Sequence, residues 1–275
     1  MTIIDGRKIK KEILAEVKKG ISALPLTPVF CDVMVGDDAV SLQYIDIKAK
    51  TARSVGIDFM HATYPETIST EELVLEIKKL NEVEHMCGLI VQLPLPAHID
   101  RQSVLDAINP DIDVDCLSTY NQKQFYENHA VLSFPTALAC MEIIDRLNVD
   151  VSEKNIVVMG QGMLVGKPVT HLLRMRGLHI ETIIETTANK EALLQQADIL
   201  ITAIGQGKFI TNHMVKKGGI IIDAGTSELT GSIVGDVDLD SVRSVSSIVS
   251  PTPGGVGPVT VAMLFRNVLL VAQKN

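Results

Sequence analysis

The chain contains no tryptophan, and aromatics make up only 4% of its 275 residues. Stacking platforms for single-stranded nucleic acid need several aromatic faces in a basic groove, so there is little here to build them from. Basic charge is in short supply as well: 25 Lys and Arg stand against 33 Asp and Glu, a net charge of −8. Without a basic patch, neither nucleic acid nor an anionic membrane is expected as a partner. The four cysteines (Cys31, Cys87, Cys116, Cys140) lack C-x-x-C spacing. They indicate neither a zinc site nor a disulfide framework, and no metal is expected. A reducing, cytoplasmic setting suits them. No apolar run approaches the ~18 residues of a membrane span. The stretch from Met1 to Lys8 lacks the apolar core of a signal peptide, so none is expected.

What is present is apolar periodicity. A hydrophobic fraction of 46% in 275 residues suits two compact domains. Asp5 is a plausible cap for a helix over 6–22, and a strand is expected at 28–35. A helix over 39–55 follows, stopped by Gly56. Strands at 57–62 and 88–91 enclose a helix at 70–81, and a short helix is expected at 101–108. From 117 to 134 polar residues dominate, which reads as a crossover between domains. Pro135 opens a helix to 147. A second alternation has strands at 156–159, 179–184, 199–204 and 219–223. Residues 249–258 hold too much Pro and Gly for regular structure, and an apolar helix over 259–273 closes the chain. Strands alternating with helices imply an α/β fold with parallel sheets.

Several stretches could carry chemistry. Ile156–Met159 runs into Gly160-Gln161-Gly162 and on to Gly166, with a helix expected from Leu164 to Met175. A glycine turn between strand and helix is an anion site, although plain strand–helix turns also use glycine. Ser41, Tyr44 and Lys48 fall on one helix face, as either a solvated surface or a ligand-facing trio. Gln92, before Leu93-Pro94-Leu95-Pro96, lies just past a strand's carboxyl end, where α/β sheets hold ligands. Asp113 and Asp115 point the same way if the chain is extended. In a turn they diverge, one capping while the other faces a cleft. The stretch Ser250–Thr260 combines fixed φ at three prolines with close approach at Gly254, Gly255 and Gly257, and reads as a rigid loop shaped around a ligand.

Taken together, V-G-D-D-x-x-S-x-x-Y-x-x-x-K, G-L-I-V-Q-L-P-L-P-x-H-I-D, D-V-D, G-D-V-D (Gly235–Asp238) and P-T-P-G-G-V-G-P-V-T resemble the bifunctional methylenetetrahydrofolate dehydrogenase/methenyltetrahydrofolate cyclohydrolase family along nearly the whole chain. The resemblance implies an N-terminal α/β folate-binding domain (residues 1–117 with 259–275) and a C-terminal Rossmann-like dinucleotide-binding domain (118–258), with a cleft between them. It also implies a homodimer serving one-carbon metabolism and, through it, purine and amino-acid biosynthesis. Lys48 would be the catalytic lysine, oriented by Gln92. Tyr44 would pack on the pterin ring and Asp115 bond its polar edge, which places all four in the catalytic set. Leu93, Pro94, Pro253, Gly254 and Gly255 would border the tetrahydrofolate substrate. Gly160, Gln161, Gly162, Gly166, Glu185, Thr226 and Thr260 would contact NAD or NADP. An ammonium beside a cationic methenyl carbon is repelled, so Lys48 is expected to act in its neutral form.

The chain departs from the family pattern in four places. Cys116-Leu117-Ser118 stands where D-V-D is usually followed by glycine. Ala137-Leu138 replaces a usual Thr-Pro. Gly160-Gln161-Gly162 and Ile184-Glu185 replace a G-R-S loop and a His-Ser pair that can hold a 2′-phosphate. A carboxylate at Glu185 suits a free ribose 2′-OH, so NAD is expected over the family's commoner NADP. A monofunctional dehydrogenase and a non-catalytic folate- or dinucleotide-binding homologue remain the alternatives. Retention of Tyr44, Lys48, Gln92 and Asp115 weighs against both.

Overall fold

The computed structural model describes residues 1–229 and 231–274, with Ala39 and Val40 described in backbone only. The chain runs β1 (Thr2–Ile3), α1 (Gly6–Ile21), β2 (Val29–Val35), α2 (Ala39–Val55), β3 (Asp58–Tyr64), α3 (Thr70–Asn81) and β4 (Met86–Val91). Three helices follow: α4 (Arg101–Asp106), α5 (Thr119–Tyr126) and α6 (Pro135–Asp145). Then come β5 (Ile156–Met159), α7 (Gly166–Met175), β6 (Ile180–Ile183), α8 (Lys190–Gln196), β7 (Ile199–Thr202) and β8 (Ile220–Asp223). The hairpin β9 (Ser227–Leu229) and β10 (Ser232–Val234), then α9 (Leu239–Val242), β11 (Ile248–Ser250) and α10 (Val256–Ala272), complete it. Among the described residues no helix is long and apolar enough to cross a membrane.

Two compact units result. One holds Met1–Lys10 with Thr136–Thr260; the other holds Lys11–Pro135 with the chain from Val261 onward. In the second, β2 is the centre of a parallel sheet ordered β3-β2-β4. Its seven residues are almost wholly buried, as a strand covered on both faces must be. The last helix completes this core. Phe265 meets Phe30 edge-on at 5.2 Å, and Gly88 leaves room for Val268, since a Cβ there would lie 2.8 Å from that side chain. The buried Asn267 amide donates to the carbonyls of Val114 (2.8 Å) and Ser133 (2.7 Å). The helix limits follow local chemistry. Asp5 accepts from the N–H groups of Arg7 and Lys8, Asp38 from Ser41, and Gly56 ends α2 in the left-handed region. Ser69 and Glu72 close a reciprocal capping box on α3.

The first unit is a six-stranded parallel sheet ordered β1-β11-β8-β7-β5-β6. β6 lies on one side of β5 and β7 on the other, so the sheet reverses its growth at β5. That reversal opens a crevice at the strand's carboxyl end.

The division differs from the expected limits at 117 and 259. Residues 118–135 belong with the three-stranded sheet because they contain α5, a helix that polar composition disguised as a crossover. Ser118 caps it, the Asn121 amide donates to Pro110 O (2.8 Å) and Asp113 Oδ2 (3.1 Å), and Phe125 packs on Phe134 at 5.0 Å. Residues 1–10 belong with the six-stranded sheet because β1 pairs with its edge strand β11. β11 itself falls in a stretch expected to be irregular, three residues being too few to show a period. α10 starts at Val256 because Pro258 sits in its first turn, where no N–H is missed. α7 starts at Gly166 instead of Leu164. Replacing Asn267 with Ala leaves the buried Val114 carbonyl and the part-buried Ser133 carbonyl without this donor. The expected loss is about 2–4 kcal/mol of unfolding free energy, read by urea denaturation.

Candidate functional site

The second unit gathers its polar groups at the carboxyl ends of β2 and β4. Gln92 directly follows β4, its N–H bonded to Val33 O at 2.8 Å, so the strand pairing fixes where its side chain starts. Ser41, Tyr44 and Lys48 share one face of α2, and that face is turned inward. Ser41 and Lys48 are buried and Tyr44 half-buried. The Lys48 ammonium donates to Gln92 Oε1 at 2.7 Å, which joins the two expected catalytic residues. Burial pushes the Tyr44 phenol up from its usual value, so it stays protonated.

A third partner was not expected. Asp32, in the middle of β2, is fully buried, and its Oδ2 lies 2.7 Å from Lys48 Nζ. The contact is an ion pair by distance, but among the described residues neither carboxylate oxygen has a hydrogen bond of normal geometry. Burial raises the Asp32 carboxyl above its ordinary range, and the neighbouring Lys48 ammonium opposes this only in part. The signal was available in V-F-C-D-V-M-V, where one acidic residue interrupts a wholly apolar strand.

Asp113 and Asp115 diverge, as a turn requires. Asp113 is buried and caps the chain entering α5, accepting from the N–H groups of Leu117 (3.2 Å) and Ser118 (2.9 Å). Asp115 is held at about 7 by burial; the Lys48 charge lowers it while Asp113 and Asp32 raise it. It therefore shares the field of the Lys48 group. Cys116 sits at φ 61, the left-handed region, with its buried Sγ near Leu132 O. A side chain at that φ costs on the order of 1 kcal/mol that glycine avoids. Leu93 and Pro94 follow Gln92 in the turn, Leu93 partly buried and Pro94 exposed.

In the first unit, the glycines after β5 do different things. Gly160 has φ 91, and a Cβ there would lie 2.4 Å from Ala203 O. A Cβ on Gly166 would lie 1.9 Å from Gly160 O, whereas one on Gly162 would meet nothing within 4 Å. The turn thus folds tightly against the start of α7, whose first turn has no side-chain cap. The Lys167 N–H donates to Gly162 O at 3.1 Å and Pro168 has none, so Gly166 carries the remaining N–H at this helix start, which lies at the sheet's switch point. The Gln161 amide turns back to Thr170 Oγ1 at 3.0 Å, stiffening the loop. Beside it lies a cavity of about 570 Å³ lined by Met159, Thr187, Asn189, Lys190, Phe209 and Met214. Glu185 is exposed in the turn after β6, and the Lys190 ammonium donates to its main-chain carbonyl.

Two buried carboxylates hold the neighbouring loops. Asp236 accepts from Thr202 Oγ1 (2.8 Å), Ile204 N (2.8 Å) and Gln206 N (2.9 Å). Asp223 accepts from Gly225, Asp236 and Val237, each at 3.1 Å. The Gly235–Asp238 motif is therefore a loop anchor. Thr226, just beyond, is exposed. Thr252 Oγ1 bonds Asp223 O at 3.1 Å, and Gly254 O accepts from Gly6 N at 2.9 Å. Pro253 is exposed and Gly255 buried, and a Cβ on Gly255 would lie 2.2 Å from Ser250 Oγ. The Thr260 hydroxyl bonds within α10, to Val256 O at 3.2 Å.

Comparison with known proteins covers both units. Residues 4–115 match the catalytic domain of tetrahydrofolate dehydrogenase/cyclohydrolase, and residues 135–275 match its NAD(P)-binding domain. The bifunctional protein FolD of Nautilia profundicola is 38% identical over 99% of this chain and 98% of its own length. The crystal structure of the Campylobacter jejuni bifunctional enzyme superposes with a TM-score of 0.94 at 32% identity, covering 100% of this chain and 99% of that one. The Trypanosoma brucei enzyme, complexed with NADP and an inhibitor, gives a TM-score of 0.93 at 32% identity, covering 99% and 97%.

The glycine geometry separates two substitutions of equal size. Gly166→Ala is expected to cost roughly 3 kcal/mol or more, because backbone must move to admit the methyl group. Gly162→Ala is expected to stay within about 0.5 kcal/mol of the parent. Thermal unfolding of the two variants side by side checks the contrast.

Proposed function

This chain belongs to the tetrahydrofolate dehydrogenase/cyclohydrolase family, and we infer that it oxidises 5,10-methylenetetrahydrofolate with a nicotinamide dinucleotide and hydrolyses the product to 10-formyltetrahydrofolate. The observation that carries the site assignment is the 2.7 Å hydrogen bond from Lys48 to Gln92 beyond the end of β4. Gln92 can only accept at that oxygen, so it holds the lysine's position without removing its proton. Tyr44, one helical turn before Lys48 and half-buried, supplies a flat apolar face for the pterin. Asp115, when ionised, accepts hydrogen bonds from the polar edge of that ring. Leu93, Pro94 and the Pro253–Gly255 turn border the folate.

The dinucleotide, when bound, supplies the hydride acceptor. Gly160, Gly162 and Gly166 bring backbone up to its phosphates, and Gln161, Thr226 and Thr260 supply further contacts. For the hydrolysis, water oxygen bonds to the methenyl carbon and one water proton passes to neutral Lys48. The carbon–N5 bond then breaks, N5 keeps the electron pair and takes a proton, and the hydroxyl proton leaves as the formyl C=O forms. The balance is one proton released per turnover. The same reading has the enzyme work in the cytoplasm as a homodimer.

For the coenzyme we propose NAD. The exposed Glu185 carboxylate follows β6, where a ribose 2′-OH is bound in such sheets and a 2′-phosphate is repelled.

Purified protein given 5,10-methylenetetrahydrofolate and coenzyme is expected to show methenyl formation and its decay as separate signals. Lys48→Gln is expected to lose at least about 100-fold in the decay step. A Lys48 variant with full hydrolysis would remove it from the reaction. Steady-state kinetics are expected to favour NAD, and Glu185→Ser to raise NADP use relative to NAD about tenfold or more. A strong NADP preference in the unaltered enzyme would refute the role of Glu185.

A further inference from the structure

The residue that the reaction as described leaves unused is Asp32. It occupies the central strand of the three-stranded sheet, bonded on both edges, with its side chain fully buried. Burying a carboxylate there carries a large desolvation cost, and an apolar residue would build the same strand. Its one close charged partner among the described residues is Lys48, at 2.7 Å. The other titratable groups facing it are few. His61, its register partner on β3, sets Nδ1 3.1 Å from the Asp32 carbonyl; Cys31 adjoins it on β2; and Asp115 reaches it through the field it shares with Lys48. Gln92, on the other side of the ammonium, is uncharged and cannot take a proton.

We propose that Asp32 is the resident proton acceptor for Lys48, a positioning residue that lets the lysine act as a base on the water attacking the methenyl cation. This rests on the assignment of Lys48 above. In the resting pair, an ammonium faces a carboxylate. When the cationic folate arrives, the N–H bond of Lys48 breaks and the proton moves to Asp32, giving an amine and a carboxylic acid. The pair's net charge is zero before and after, so no charge is created in the buried site. The amine lone pair then takes a proton from water as the carbon–oxygen bond forms. Burial, which raises the Asp32 carboxyl, favours its holding that proton. The 2.7 Å contact between Lys48 Nζ and Asp32 Oδ2 is short enough for the proton to pass directly.

The test compares Asp32→Asn and Asp32→Val with the unaltered enzyme across pH, following methenyl formation and decay separately. The amide nearly matches the carboxylate in shape and the valine suits a buried strand, so one folded variant suffices. In the unaltered enzyme the pair carries one proton over the neutral range, so the ratio of hydrolysis to dehydrogenation is flat there, Asp115, held at about 7, acting on both through folate binding. The ratio falls only at acid pH, where a second proton leaves Lys48 charged beside a neutral Asp32. Without the carboxylate, Lys48 must lose its proton to solvent. Hydrolysis is then expected to drop about 10- to 100-fold at pH 7 and to climb up to tenfold per pH unit, with the ratio of hydrolysis to dehydrogenation falling about tenfold or more. Hydrolysis as fast as or faster than the unaltered enzyme at pH 7 overturns the proposal. So does an equal loss of both activities with the pH profile unchanged, which marks a structural residue. If the unaltered enzyme forms methenyl product but never hydrolyses it, the function assigned to Lys48 fails first, and the two failures are told apart.

Discussion

An ammonium taken out of water and held between two fixed acceptors is the constraint on which the catalytic unit depends. Lys48 contacts Gln92 and Asp32 at 2.7 Å each, and each acceptor is placed by a strand. Parallel pairing of β2 with β4 sets the two in register, with Asp32 opposite Ile90 and Gln92 bonded to Val33. α2 delivers the lysine because Asp38 starts the helix and Gly56 stops it. A change in any of these limits moves a charge that has little water to fall back on. The dinucleotide unit is governed instead by backbone closeness. Gly160, Gly166, Gly225 and Gly235 stand where a single carbon would strike a carbonyl or a carboxylate, and Asp223 and Asp236 tie the surrounding loops through main-chain N–H groups.

Much of this was legible in the sequence, and the rest was hidden for identifiable reasons. α3 was readable to the residue, and the structure shows Ser69 and Glu72 fixing its start. β5 through β8 stood out as short apolar runs within a residue or two of their limits. α5 did not, because its buried face consists of Asn121 and Phe125, and an asparagine in the core carries no hydrophobic signal. β1, β11 and the β9–β10 hairpin are too short for any period to emerge.

The candidate site divides in the same way. Tyr44, Lys48, Gln92 and Asp115 are marked by spacing and motif, and the structure joins Lys48 to Gln92. Asp32 belongs to no spacing pattern; a lone acid in an apolar strand marks it, and only the distance to Lys48 gives it a partner. The departure at Cys116 acquires a physical meaning from its φ of 61: the backbone keeps the shape glycine would allow, at a local cost. Of the three glycines after β5, sequence could not say which were needed. Gly162 looks like its neighbours in the text, and only the open space around it sets it apart.

The way the two ends of the chain are exchanged bears on how the protein is made. β1 finds its partner β11 only when residues 248–250 exist. The unit containing β2, β3 and β4 is translated early but lacks Phe265 and Asn267 until the last helix appears. Neither core can close while the ribosome is still working through the middle of the chain. Each core therefore waits on a distant segment, and a nascent chain stalled before β11 exposes two unfinished cores at once.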